Sequence, residues 1–287
     1  MNRIKIGVSG SDERFYELGY KSTVEMPTYI KGLDLDCFEY SFGKGVRLSY
    51  DTRKSIKEAF EKENIEISVH APYFINFANP DNEKIENTNR YLMDSVIAAK
   101  DLGASRVVFH PGSFLKSDAE TAFNLTYQNL SKFVELYGDY LIENDIYICP
   151  ETMGKSSQVG TVEEVAKFST LHRNILPCID FGHINARFQG YIKSEIEYQQ
   201  IVDTLSNYLD DFKVKNMHVH FSKIEYGAKG EIRHLTFSDN VFGPDFEPFA
   251  KVIVDNSLTP YIVSESAGTQ GQDAVVMKKV YTEYYNK

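Results

Sequence analysis

Residues 177–183 read Pro-Cys-Ile-Asp-Phe-Gly-His, a stretch in which the fold and the chemistry of the chain meet. An apolar run ends on the carboxylate of Asp180, Gly182 permits a tight turn, and the imidazole of His183 follows three residues after the acid. Alone, an Asp-x-x-His pair is a weak signal, because a chain with 41 acidic residues and 7 histidines produces such pairs by chance. Five other apolar runs also end on a residue type that binds metals well. Because six runs share this feature, the stretch indicates a metal site more strongly than it would alone.

Short apolar runs alternate with stretches of helical spacing along the chain. The predicted strands are residues 4–8, 35–40, 65–70, 105–110, 146–151, 177–183, 217–221 and 260–265. The predicted helices are residues 28–31, 50–64, 84–102, 119–144, 163–169, 194–209, 246–255 and 274–285, and residues 222–245 form one long polar loop. This α/β alternation, without a linker, predicts a single (β/α)8 TIM-barrel domain over residues 1–287. A doubly wound open sheet is the alternative, but the sequence has no G-x-G-x-x-G or P-loop pattern.

Composition narrows the class of protein. The hydrophobic fraction of 42% is ordinary for a globular chain, and no run of about 18 apolar residues could span a membrane. The 3 cysteines form no C-x-x-C pair, so we expect reduced thiols in a cytoplasmic protein, and we expect a monomer. The net charge of −10 argues mildly against nucleic acid as a partner. Carboxylates that ligate cations do not act as free negative charge, however, so composition leaves the partner open.

The carboxyl ends of six predicted strands carry ligand-type side chains. They are His70, His110, Glu151, Asp180, His218 and Glu265. In a (β/α)8 barrel these ends meet at one rim, which His183 and His234 can also reach from the adjoining loops. A mixture of imidazoles and carboxylates suits zinc, and also manganese or iron. Since one ion needs three or four protein ligands, this set predicts a multinuclear centre in which Glu151 bridges two ions.

In these residues the chain resembles the endonuclease IV family of apurinic/apyrimidinic (AP) endonucleases. The matching motifs, in the family's order, are His70-Ala-Pro-Tyr-Phe-Ile-Asn76, Phe109-His110-Pro-Gly-Ser113, Pro150-Glu151-Thr152, Ile179-Asp180-Phe-Gly-His183, Met217-His218 and Ser264-Glu265-Ser266. Members of that family are zinc-dependent (β/α)8 barrels that cut the DNA backbone 5′ to an abasic site. The resemblance therefore implies zinc, two to three ions with manganese as the alternative, and DNA containing abasic sites as the partner.

The resemblance also implies a role for each ligand. A first zinc would be held by His70, His110 and Glu151, and a second by Glu151, Asp180, His218 and Glu265. A third would be held by His183 and His234. The aspartate that the family places two residues before the loop histidine is Ile232 here, so either Glu231 or His220 completes the third site.

Catalysis and DNA contact are assigned by the same resemblance. Glu151 and Glu265 would position the ions and the attacking water. Tyr73 and Phe74 match positions that family members place in the DNA stack, with ordinary rim aromatics as the alternative. Residues 40–47 lack the family's usual DNA-contacting pattern, although Lys44 and Arg47 can meet phosphates.

Two other functions remain open at the level of sequence. One is a sugar isomerase or epimerase, in which one or two manganese or magnesium ions assist proton transfer. The other is a metal-dependent binding protein that keeps the barrel without turnover. The sugar enzymes need a site dominated by carboxylates, whereas imidazoles equal or outnumber carboxylates at this predicted rim.

Overall fold

A computed structural model of the chain describes residues 4–286. Its main sheet contains eight parallel strands. They are β1 (Lys5–Ser9), β2 (Cys37–Ser41), β3 (Glu66–His70), β4 (Arg106–Phe109), β5 (Tyr147–Pro150), β6 (Cys178–Asp180), β7 (His218–Phe221) and β8 (Tyr261–Ser264). The hydrogen-bonded order is β5-β4-β3-β2-β1-β8-β7-β6, so every strand lies beside its neighbour in the chain.

The two outer members of that order, β5 and β6, meet and close the sheet. The Thr152 amide donates to the Cys178 carbonyl at 3.0 Å, and the Leu176 amide donates to the Ile148 carbonyl at 3.2 Å. Pro150, which lies between these bonds, has no N–H to add a further one. The closed sheet confirms the predicted (β/α)8 barrel and excludes the open, doubly wound alternative.

Helices cover the outside of the barrel. Within residues 4–286 they are α1 (Glu13–Glu17), α2 (Met26–Gly32), α3 (Tyr50–Glu63), α4 (Asn82–Leu102), α5 (Ala119–Glu143), α6 (Val162–Ser169), α7 (Phe181–Arg187), α8 (Glu195–Ser206), α9 (Asp211–Lys215), α10 (Phe246–Asp255) and α11 (Gln270–Tyr285). All eight predicted helices are present, whereas α1, α7 and α9 were not predicted. None of the helices in this part of the chain is long and apolar enough to cross a membrane.

Two predictions near the rim differ from the structure. The strand predicted through residue 183 ends at Asp180, whose Oδ1 accepts the His183 amide at 2.8 Å and so caps α7. The predicted loop 222–245 contains an antiparallel hairpin of Ile224–Gly227 and Gly230–His234. Ile224, the first residue of the hairpin, is buried, and Gly230 adopts φ +95° at the turn. These two features stabilise a short two-stranded unit there.

The side chains enclosed by the barrel change from apolar to polar along its axis. Apolar side chains fill the space between the strands and the surrounding helices. Near the carboxyl ends of the strands, by contrast, the enclosed side chains are polar. They include Glu151, Asp180 and His220, with Glu39, Ser68 and His218 one layer deeper, all of them buried. Buried polar groups need partners, so this end of the barrel is where a site is expected.

Candidate metal centre

Glu151 lies at the centre of the polar end of the barrel, directly after β5. Its Oε2 is 3.3 Å from His70 Nε2 and 3.2 Å from His110 Nε2. Its Oε1 is 2.9 Å from His220 Nδ1 and 3.4 Å from His183 Nδ1. Burial alone would raise the pKa of Glu151, but the charge of His220 and the hydrogen bonds of these imidazoles hold it well below its usual range. One ionised carboxylate therefore faces four imidazoles.

The first group of potential ligands is His70, His110 and Glu151. Their ligand atoms lie within 4.8 Å of one another. His70 Nδ1 is 2.9 Å from the Ala71 carbonyl, which requires a proton on Nδ1, and the other nitrogen, Nε2, faces Glu151. This outer contact prepares the ring to ligate.

A second group consists of Glu151, Asp180, His220 and Glu265, again with ligand atoms within 4.8 Å of one another. Asp180 Oδ2 is buried, lies 3.2 Å from His183 Nδ1 and accepts no hydrogen bond with standard geometry among the described residues. Burial raises the pKa of Asp180 to about 6, with His183 lowering it and Glu151 raising it further. A cation within this group would supply the partner that Oδ2 lacks, so these residues fit a divalent metal.

The position of His218 differs from the sequence expectation. His218 is the first residue of β7, and His220, two residues nearer the carboxyl end, occupies the second group instead. Both side chains point into the barrel because strand residues alternate between faces. His218 lies one layer deeper, where its Nε2 is 3.1 Å from Glu39 Oε2. The structure thus brings His220, and not His218, to the centre.

A third group contains His183, Glu231 and His234. His183 Nε2 is 3.5 Å from Glu231 Oε2, and His234 Nδ1 pairs with Ser222 Oγ at 2.8 Å. The hairpin of Ile224–Gly227 and Gly230–His234, here called the rim hairpin, brings Glu231 and His234 to this group. His220 belongs to the second group. Of the two residues that the sequence offers to complete this site, the structure places Glu231 in it.

Gly154 is what allows the rim hairpin to approach. Its carbonyl accepts the Glu231 amide at 3.1 Å. A Cβ on residue 154 would lie 2.8 Å from Glu231 Cβ and 3.0 Å from His183 Cδ2, closer than packed carbon atoms tolerate. A side chain here would therefore displace both members of the third group.

We predict that Gly154→Ala weakens metal binding in the third group by about 10-fold, the range seen when outer contacts of a metal site are disturbed. Titration of the protein with metal against a competing chelator measures this. Gly32→Ala is the matched control, because a Cβ at Gly32 meets nothing within 4 Å. Equal affinities in the two variants would contradict the role assigned to Gly154.

Glu39 was not predicted as a site residue. It is the third residue of β2, fully buried, and its Oε1 lies 2.9 Å from His220 Nε2. Glu39 lies within its strand, whereas the predicted ligands lie at strand ends or on the adjoining loops. A detectable signal was present, since an acid flanked by Phe38 and Tyr40 in an apolar run is uncommon in a core.

A cavity of about 300 Å³ opens above the three groups. Tyr73 lines it and is 56% exposed, whereas Phe74, 44% exposed, packs its ring against Tyr91 outside the cavity wall. Lys44 and Arg47 are exposed and do not line it.

Lys155 does line the cavity, although it was not predicted. Arg187 holds the loop that carries it, because Arg187 Nη1 donates to the Met153, Lys155 and Gln158 carbonyls at 3.3, 2.7 and 3.0 Å. The cavity thus joins the ligand groups, one exposed aromatic ring and one cation.

Known proteins resemble this chain over most of its length. The family model described as xylose isomerase-like TIM barrel matches residues 27–278. An uncharacterized protein of Methanocaldococcus jannaschii is 34% identical over 254 residues, covering 88% of this chain and 90% of the relative. A probable endonuclease 4 of Staphylococcus carnosus is 32% identical over 235 residues, covering 77% and 75%.

Two solved structures share the fold. A D-tagatose 3-epimerase-like protein superposes with a TM-score of 0.72 at 23% identity, covering 99% of this chain and 97% of that one. Endonuclease IV from Thermus thermophilus superposes with a TM-score of 0.68 at 17% identity, covering 99% of each chain. At these identities the likeness concerns the fold alone. On the family model and the sequence relatives, the chain belongs to the xylose isomerase-like TIM-barrel family and shows the resemblance to endonuclease IV that its strand-end motifs predict.

Proposed function

We propose that the protein is a metal-dependent AP endonuclease that hydrolyses the DNA phosphodiester 5′ to abasic sites. The observation that carries the proposal is the position of Glu151, which belongs to both the first and the second ligand group, with the third group beside them. A shared carboxylate between two ligand sets is the arrangement of a two-metal phosphodiesterase site. The similarity to a probable endonuclease 4 supports the same reaction class.

The residues fit two to three divalent ions. The imidazole content favours zinc, with manganese as the other candidate. When bound, such ions lower the pKa of water and stabilise the charge on the attacking and leaving oxygens of an in-line displacement. His70, His110 and Glu151 would hold one ion, Glu151, Asp180, His220 and Glu265 a second, and His183, Glu231 and His234 a third.

Glu265 is the acid best placed to handle the attacking water. Its side chain is 18% exposed on the cavity wall, whereas that of Glu151 is 1% exposed. Burial would raise the pKa of Glu265, but the charges of His220 and His234 outweigh it and lower the pKa. Glu265 therefore stays a carboxylate at neutral pH and can orient a water molecule and accept its proton.

The outer rim would bind the DNA. An abasic sugar flipped out of the duplex offers its phosphate to the cavity without the bulk of a base. Tyr73 is exposed at the cavity mouth with Phe74 beside it, 4.6 Å between ring centroids, so the pair can replace lost base stacking. Lys44 and Arg47 would contact the backbone further out, and Lys155 the phosphate nearest the ligands.

We predict that Glu265→Gln lowers the single-turnover rate of cleavage of an abasic duplex by about 100-fold or more, because loss of a catalytic acid–base group typically costs that much. The melting temperature should change little, since Glu265 is at the rim. Glu163→Gln is the matched control, because Glu163 is a surface residue bonded to Lys167 and Tyr208. If Glu265→Gln cut at the wild-type rate, the role of Glu265 would be excluded.

A sugar epimerase is the second candidate, because the second ligand group is dominated by carboxylates. The second group alone, with three carboxylates and one imidazole, would serve a single-metal proton transfer. That reaction gives no use to the first and third groups, which add His70, His110, His183 and His234. Metal analysis separates the candidates: two or three bound zinc ions favour the nuclease, and a single exchangeable manganese favours the epimerase.

A further inference from the structure

The buried carboxylate of Glu39 has no part in the three ligand groups, yet it touches one of their members. It lies in β2, across the barrel interior from β7. Its Oε2 accepts the Ser68 hydroxyl at 2.9 Å and lies 3.1 Å from His218 Nε2. Its Oε1 lies 2.9 Å from His220 Nε2, an ion-pair distance, and accepts no hydrogen bond with standard geometry from any described residue. One oxygen of Glu39 thus faces His220.

His220 presents its Nδ1 to the second ligand group. Its Nδ1 faces Glu151 and Glu265, at 2.9 and 3.5 Å. An imidazole that ligates through Nδ1 as a neutral ring must carry its proton on Nε2, and the group opposite Nε2 decides whether that tautomer is favoured. That group is Glu39.

Two other imidazoles at the centre have neutral outer partners: His70 meets the Ala71 carbonyl and His234 the Ser222 hydroxyl. His183 Nδ1 meets the Thr152 carbonyl and also lies 3.2 Å from Asp180 Oδ2. His220 has the carboxylate of Glu39, which fixes the ring and strengthens the ligating nitrogen more than a neutral acceptor does. The outer contact of His220 therefore differs in charge from those of His70 and His234.

Burying this carboxylate has a cost that an apolar residue in the core avoids. Glu39 is fully buried, and the Ser68 hydroxyl, His218 Nε2 and His220 Nε2 lie within 3.1 Å of its oxygens. A buried carboxylate in this position is placed to face an N–H of the ligand ring.

We propose that Glu39 is a positioning residue that holds the Nδ1-ligating form and orientation of His220 and so sets the metal affinity of the second ligand group. The proposal rests on the metal centre of the proposed function. It assigns Glu39 no contact with substrate.

Glu39→Gln keeps the size of the side chain and removes its charge. We expect it to weaken one metal-binding step by about 10- to 100-fold, the effect of losing such outer partners, and to leave the other steps unchanged. Titration with zinc against a chromophoric chelator measures each step without any activity assay. With abasic duplex, kcat should fall at limiting zinc with KM unchanged, and excess zinc should restore kcat.

Two further variants separate positioning from stability. Ser68→Ala removes the hydroxyl that orients Glu39 and should weaken the same step severalfold. Tyr261→Phe loses the contacts of its hydroxyl with the Phe38 and Glu66 carbonyls, at 3.3 and 3.4 Å, in the same layer. It should lower the melting temperature without changing zinc affinity.

Two outcomes would overturn the inference: wild-type zinc binding in both Glu39→Gln and Ser68→Ala, or an equal loss of affinity in Tyr261→Phe. Should Glu39→Gln fail to fold, the comparison of Ser68→Ala with Tyr261→Phe decides alone. The result is independent of DNA cleavage. A wild-type protein that binds zinc without cutting DNA would refute the proposed function only, and a cleaving protein whose zinc affinity ignores Glu39 would refute this inference only.

Discussion

Glu151→Gln should abolish strand cleavage and remove most of the bound metal. The carboxylate is shared by the first and second groups, and an amide in its place is a neutral, weaker ligand whose NH2 would face imidazole nitrogens. Loss of about 3–4 kcal/mol of charge stabilisation corresponds to about 10²- to 10³-fold in rate, and loss of both ions would exceed it. We expect cleavage below detection and zinc content reduced to that of the third group.

Single-turnover cleavage and elemental analysis of the same preparation check this prediction. Glu247→Gln is the matched control, because Glu247 is a surface acid bonded to Tyr284. Circular dichroism should show the same fold in both proteins. A Glu151→Gln protein that retains wild-type zinc and cuts at the wild-type rate would refute the shared-carboxylate centre.

The second large effect is a contrast between two histidines of β7. His220→Asn should lower cleavage by about 100-fold or more, because His220 is a member of the second group. His218→Asn should retain activity within about tenfold, since His218 lies one layer deeper and meets Glu39 instead. Zinc titration should show one weakened step in the His220 variant and near-normal binding in the His218 variant.

The two variants together test the register of β7, that is, which of its histidines lies level with Asp180. The reverse order of effects would restore His218 as the ligand and contradict the structure. Loss of cleavage in the His218 variant with wild-type metal binding would contradict the expectation for His218.

Most of the fold and much of the site could be predicted because a barrel converts strand ends into neighbours. His70, His110, Glu151, Asp180 and Glu265 are separated by long stretches of sequence but end strands that close into one rim. Alternation of apolar runs with helical spacing was sufficient to locate those ends.

The sequence alone could not show whether His218 or His220 belongs to the second ligand group. Residues i and i+2 of a strand point the same way, so hydrophobic pattern cannot distinguish them. The pairing of β6 with β7 decides, because it places Cys178 opposite His218 and Asp180 opposite His220. Only the second pairing brings an imidazole level with Asp180.

Glu39, Lys155 and the rim hairpin were missed for related reasons. Glu39 acts from the middle of a strand and across the barrel, so its partner in β7 is distant in the sequence. Lys155 depends on a loop held by Arg187 through backbone carbonyls, which leave no sequence pattern. The hairpin strands are short and largely polar, so their period-two alternation is too weak to recognise.

The most direct test of the proposed function is the position of the cut on a duplex with a single abasic analogue, labelled at the 5′ end and incubated with zinc-loaded protein. We expect one product, which ends immediately 5′ to the abasic site with a 3′ hydroxyl. Chelator should suppress its formation, and zinc should restore it. An uncut duplex, under conditions in which a known endonuclease IV cuts it, would contradict the proposed activity.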